Sequence, residues 1–217
     1  AGRPDAPVQL NLWLVDPLLP EPLLPDEVAE FGSIREPVVS RTAPVSATLP
    51  LGPRTVVVAG DDAGPAARRL SQEANWPLLA EPSSGARTGP ALRTYRLLLR
   101  QLDEQVERVV VYGHPTLSRP VQQLLARADV EVISIRARGR WPTRPFPVSA
   151  EYDAVTAPAD DPQWLQRWQD ADAEMGILID EAVAGWGFTP YDVAREVLDA
   201  LPAGGLLVVG ASNPIRD

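Results

Sequence analysis

The groups best suited to chemistry in this 217-residue chain are arginines, which supply all 20 of its basic side chains apart from one histidine. One set follows a valine run: Gly113-His114-Pro115-Thr116-Leu117-Ser118-Arg119. A second follows another apolar run and comprises Arg136, Arg138, Arg140 and Arg144, with Trp141 among them. A guanidinium pairs with carboxylates and phosphates through two parallel hydrogen bonds, so such a cluster in an acidic protein suits recognition of an anion. The competing reading is a solvated basic loop balanced by acidic neighbours. Both stand at this point, and His114 matters only through the loop it shares with Arg119.

Other chemistries are excluded by composition. With no lysine, neither a Schiff base nor a P-loop lysine is available. With no cysteine there are no disulfides, thiolate ligands or thiol nucleophiles; one histidine excludes a multi-histidine metal centre, and with no nucleophile elbow to accompany it no Ser-His-Asp triad is indicated. Gly60 and Gly64 flank a strand-to-helix turn, the usual place for a phosphate cradle, but Asp61 and Asp62 within it would repel a phosphate. Trp164, Trp168, Ala171, Met175 and Leu178 fall on one helical stripe, which reads as core rather than as a ring-binding surface.

The elements that must carry these residues follow from periodicity. Thr55–Ala59, Pro77–Ala80, Arg108–Tyr112 and Val130–Ile135 are short and continuously apolar or nearly so, as expected of parallel strands buried on both faces, with Tyr152–Thr156 as a fifth. Helices are predicted from Pro65 to Ala74, Pro90 to Leu102, after the N-cap Ser118, and from Asp161 to Ala182. The alternation predicts an α/β fold: an open parallel sheet with helices on both faces. In such a sheet the loops after the strands share one edge, which brings both arginine sets together there.

The flanks differ. Residues 1–53 hold ten of the 24 prolines and read as a Pro-rich extended connector, with a strand over Val8–Leu14. Residues 54–182 make up the α/β domain. Residues 183–217 hold a helix opened by Thr189-Pro190-Tyr191-Asp192 and a buried strand Leu206–Gly210, the start of a further domain. A net charge of −9 argues against nucleic acid and anionic membranes, and no apolar run is long enough for a membrane span. With no signal segment and Ala1 in first place, the expectation is a cytoplasmic protein cut from something longer.

Several segments carry a resemblance: PVQLNLWLVDPLLPEP, RTVVVAGDDAG, WPLLAEPSSGAR, GHPTLSRPVQQLLA, GRWP and LVVGASNPIRD. The chain resembles the middle of the 2-succinyl-5-enolpyruvyl-6-hydroxy-3-cyclohexene-1-carboxylate synthases, thiamine diphosphate enzymes of menaquinone biosynthesis. GASNPIRD and GHPTLSRPV are similar to actinobacterial members in particular. The resemblance implies a Rossmann-like central domain, between a pyrimidine-binding and a diphosphate-binding domain of the same chain, in a dimer or tetramer. It implies decarboxylation of 2-oxoglutarate and addition of the four-carbon unit to isochorismate, with thiamine diphosphate and magnesium as cofactors. By position, Ser212 and Arg216 resemble the isochorismate-binding serine and arginine, and Arg119 a basic residue reaching the active site from the central domain. Pro120 departs from members that carry a second basic residue there. His114 and Arg140 resemble an arginine pair suited to a regulatory acid. The family's Gly-Asp…Asn metal motif is not matched, because Gly60-Asp61 meets Asn75 too soon and the next asparagine is Asn213. No cofactor is therefore expected on this segment, nor catalysis by it alone. The alternative is a stand-alone Rossmann-like module for a nucleotide such as ADP or FAD, or a regulatory module.

Overall fold

The computed structural model describes residues 43–137 and 144–210. Five strands form a parallel sheet: β2 (Thr55–Ala59), β3 (Leu78–Ala80), β4 (Arg108–Tyr112), β5 (Glu131–Ile135) and β6 (Ala150–Tyr152), in the order β3-β2-β4-β5-β6. The chain therefore reverses direction across the sheet between β2 and β4, the point at which open α/β sheets present their ligand crevice.

The valine runs behave as two-faced strands. Val56 and Val58 of β2, with Val109 and Val111 of β4, pack into one core. Val57 and Ala59, with Val110 and Tyr112, pack into the other. A residue period of two sends successive side chains to opposite faces, so a run buried throughout needs cover on both. Each fully buried valine contributes roughly 1.5–3 kcal/mol relative to exposure. One face is covered by α1 (Pro65–Ala74) through Ala67, Leu70 and Ala74. The other is covered by α2 (Tyr95–Leu102), α3 (Arg119–Leu125) and the first part of α4 (Pro162–Gly185).

A two-stranded parallel ribbon completes the α1 face. It pairs β1 (Ser46–Thr48) with β7 (Ala154–Thr156). The fifth strand expected over Tyr152–Thr156 is thus divided: β6 joins the sheet, β7 joins the ribbon, and Asp153 is the joint. Its carboxylate accepts from the Val45 amide at 2.7 Å and from Arg136 Nη1 at 2.7 Å. Strand β1 lies within the stretch read as Pro-rich connector; the predicted strand at Val8–Leu14 lies outside the described residues.

Two further departures have physical reasons. Helix α2 begins at Tyr95 rather than Pro90, because Ala91 bridges Leu78 and the Leu92 amide donates to the Leu78 carbonyl at 3.0 Å, extending that segment along the edge of β3. The start of α2 is then capped from α4, where the Asp172 carboxylate accepts from the Thr94 amide at 2.6 Å and its hydroxyl at 2.7 Å. The buried strand expected at Leu206–Gly210 is not formed; Leu206 and Val208 are each 93% exposed, and among the described residues no strand pairs with them. A lone strand has no ladder partner and no stability of its own. Helix α5 (Pro190–Asp199) does carry the expected capping box between Thr189 and Asp192, yet it buries none of its residues.

The tryptophan stripe joins the core at Trp164, Trp168, Ala171 and Met175, as its spacing suggests, but not at Leu178, which is 54% exposed. Trp168 is fully buried and meets Trp164 edge-on at 5.8 Å. The Trp164 indole donates to the Thr55 carbonyl at 2.9 Å, while the Trp168 indole N–H has no partner among the described residues. Trp76 is equally buried, and its indole donates to Asp160 Oδ2 at 2.9 Å. Replacing Trp76 by Phe discards a hydrogen bond; replacing Trp168 by Phe discards an unpaired donor. In urea unfolding, Trp76→Phe is expected to be the more destabilising by about 1 kcal/mol. Equal losses would show that the Asp160 bond contributes nothing.

Candidate functional site

Three loops meet at the carboxyl edge of the sheet, following β3, β2 and β4. Two glycines let the last two interlock. A Cβ on Gly60 would stand 2.0 Å from the backbone nitrogen of Pro115. Gly113 adopts φ +66, and a Cβ there would stand 2.2 Å from the Asp61 carbonyl oxygen. With both side chains absent, Asp61 and His114 form an antiparallel bridge, their amides and carbonyls bonding reciprocally at 2.8 and 3.1 Å.

That interlock closes the turn read as a phosphate cradle. The Asp61 amide donates to His114, the Ala63 amide to Gly60 and the Gly64 amide to Ser84. Donors that would face a phosphate are spent on protein carbonyls, and exposed Asp61 and Asp62 add like charge. The geometry gives no support to a nucleotide at this turn.

The third loop contributes a residue that sequence reasoning missed. Glu81 follows β3 and is fully buried. Its side chain reaches the loop after β4, where Oε2 accepts from the Thr116 amide at 3.1 Å and Oε1 from the Leu117 and Ser118 amides at 2.9 and 3.2 Å. Burial pushes the carboxyl above its ordinary value, and the three amide bonds pull it back; nearby Asp61 adds to the rise. Tyr95, under the same roof, has its phenol pushed up to about 12, chiefly by burial and then by the Glu81 charge. In sequence, Glu81 sits in Ala80-Glu81-Pro82-Ser83-Ser84-Gly85, a stretch with every mark of a surface turn.

The loop held by Glu81 ends at Ser118, which caps α3, and Arg119 occupies the first helical position. Arg119 is exposed and has no carboxylate partner among the described residues. His114 is half-buried in the same loop. The second arginine set divides. Arg136 bonds Asp153 at 2.7 Å and approaches Glu151 at 4.0 Å, and Arg144 pairs with Glu151. For these two the balancing of acidic neighbours is the better account. Arg138, Arg140, Trp141, Ser212 and Arg216 lie outside the described residues.

Beside this edge, a cavity of about 500 Å³ opens between α1 and β7, lined by Arg69, Tyr112, Arg136 and Asp153 among others. Among the described residues no group of three carboxylates or imidazoles converges as a metal site would require.

No family model matches the chain. Curated relatives do. It is 55% identical to the 2-succinyl-5-enolpyruvyl-6-hydroxy-3-cyclohexene-1-carboxylate synthase of a Nocardioides species, over 97% of the chain and 41% of that protein. It is 44% identical to the synthase of that name from Kineococcus radiotolerans, over 100% of the chain and 41% of the relative. It is 39% identical to that of an Arthrobacter species, over 99% and 38%. The chain thus spans about two fifths of the length of the relatives it matches, and the resemblance carried by its motifs extends along nearly all of it.

Two outcomes follow from the edge geometry. Gly60→Ala forces a methyl into backbone that has no flexible end to yield, so a loss of about 3 kcal/mol, the upper end of the usual range for overpacking, is expected in denaturant unfolding; a loss under about 1 kcal/mol would mean the loops part easily. For Glu81, a folded value raised above 4.5 makes its contribution to stability largest below that pH, and the contribution is lost as pH rises through the folded value. Urea midpoints of wild type and Glu81→Gln between pH 4 and 7 should show the wild type alone losing this increment. Parallel curves would mean the carboxyl titrates as it does unfolded.

Proposed function

We propose that this chain is the central section of a 2-succinyl-5-enolpyruvyl-6-hydroxy-3-cyclohexene-1-carboxylate synthase. The observation that carries the reading is the alignment: 55% identity along 97% of the chain, to proteins of which it spans 41%. The whole enzyme decarboxylates 2-oxoglutarate and adds the four-carbon unit to isochorismate in menaquinone biosynthesis, in the cytoplasm. Thiamine diphosphate and magnesium are held by other sections of the protein, which works as a dimer or tetramer.

In this reading residues 1–53 are the end of a preceding domain and its linker, residues 54–182 the central domain, and residues 183–217 the start of the next. The apolar tail supports that division. Trp186 is 69% exposed and Phe188 is 81% exposed, and Val193, Val197 and Leu198 of α5 face solvent with Leu206 and Val208. So many exposed apolar side chains in one stretch of chain are ordinarily covered in an assembled protein.

The central domain's chemical contribution is positional. Arg119 meets a substrate carboxylate from its place at the head of α3, with Ser212 and Arg216 binding isochorismate from the following segment. Its guanidinium is free for two parallel bonds to one carboxylate, a pairing worth more than a neutral hydrogen bond. His114 and Arg140 form the candidate site for a regulatory acid.

The test is steady-state kinetics on the full-length protein that carries this segment, following carbon dioxide release from 2-oxoglutarate with isochorismate as acceptor. Activity of the full protein, none in the 217-residue chain, and a KM raised about 10- to 100-fold by Arg119→Ala are expected. No activity in the full protein, or carboligation by the isolated chain, would overturn the proposal.

A further inference from the structure

A carboxylate that is fully buried and has no ion-pair partner among the described residues calls for an explanation in function or in architecture. Glu81 is such a group. The titratable groups facing it are Asp61, from the loop after β2, and the neutral Tyr95 phenol from α2. Neither offers positive charge. Among the described residues its hydrogen-bond donors are the three amides of Thr116, Leu117 and Ser118.

We infer that Glu81 is a positioning residue: its carboxylate clamps the backbone of Thr116–Ser118 and so fixes the first turn of α3, setting the direction in which Arg119 leaves the sheet edge. The inference rests on the reading above, in which Arg119 meets a substrate carboxylate. Three features of the geometry carry it. Glu81 follows β3, on one side of β2, and bonds the loop after β4, on the other side, a loop whose His114 and Pro115 backbone also packs against the bare Gly60. The clamped amides occupy three successive positions immediately before Arg119, so there is no slack between clamp and cation. The backbone of Glu81 is itself anchored, its amide donating to the Ala59 carbonyl at 2.8 Å and its carbonyl accepting from Ser84 at 3.0 Å. The clamp is therefore tied to the sheet at one end and to the cation at the other.

The side chain's identity matters. A carboxylate offers two acceptor oxygens with about four lone-pair sites. A glutamine keeps one oxygen and turns an amino group towards a backbone N–H. An aspartate is one methylene short of the loop. Either replacement releases at least one of the three amides while leaving Arg119 present.

The test is a double-substitution cycle in the full-length protein, with KM and kcat read separately for the carboxylate substrate whose KM responds to Arg119→Ala. Glu81→Gln alone is expected to raise that KM about 3- to 30-fold; in an Arg119→Ala background it is expected to add less than twofold, because the clamp then has nothing to aim. Factors that multiply would overturn the inference, as would an unchanged KM with a lowered melting temperature, which is what a purely architectural role gives. Should Glu81→Gln not fold, amide hydrogen exchange on the wild type decides. Protection of the Thr116, Leu117 and Ser118 amides equal to that of β4 supports the clamp, and loop-like exchange overturns it. An Arg119→Ala variant with unchanged KM for both substrates would overturn the substrate reading of Arg119 and its positioning with it. The same exchange measurement separates that failure from a failure of Glu81 to hold the loop.

Discussion

A negative charge sealed from water without a counter-ion can persist only where dipoles converge on it, and the carboxyl edge of this domain is shaped by that demand. Three successive amides must point at one place, so the loop after β4 must be tightly wound there. The loop must also lie close to the end of β2, which is why neither Gly60 nor Gly113 tolerates a side chain. The turn after β2 then spends its own amides on the neighbouring loop. What resembles an open phosphate site in other α/β sheets is here closed from within, its amides spent on the carbonyls of His114, Gly60 and Ser84. The edge is left with an outward-facing cation, Arg119, on a rigid base.

The sheet was legible because its signals are local. A run such as Thr55–Ala59, apolar at every position, has few ways to be buried except as an inner parallel strand, and the structure places it over those residues. Ser118 and Thr189 were readable as caps for the same reason: the bonds they make lie within the following turn. Glu81 was not readable, since its three partners lie 35 to 37 residues further along and its own surroundings look like a surface turn. Nor was β1, whose partner is 108 residues away and whose flanks are rich in proline. The arginine loop was half legible. Spacing located the cluster, but only the fold shows that Glu151 and Asp153 take up Arg136 and Arg144.

The far end of the molecule shows how little periodicity says about context. Leu206–Gly210 has the same character as the valine strands, yet it lies unpaired and exposed. Burial of a strand depends on neighbours to bond it, and the domain's own sheet ends at β3 and β6. The curated relatives are more than twice as long as this chain.

The β1–β7 ribbon has a consequence for how the chain acquires its shape. It ties Ser46–Thr48 to Ala154–Thr156, across 108 residues of intervening sequence, while the strands of the main sheet are joined through helices and loops between near neighbours. Closing so long a loop is entropically unrewarded until the intervening sheet has condensed. The ribbon is thus a late event, a latch that shuts over α1 once β2 to β6 are in place. A ribosome-bound chain would remain unlatched until residue 156 had cleared the exit tunnel, with the α1 face incompletely covered throughout that interval.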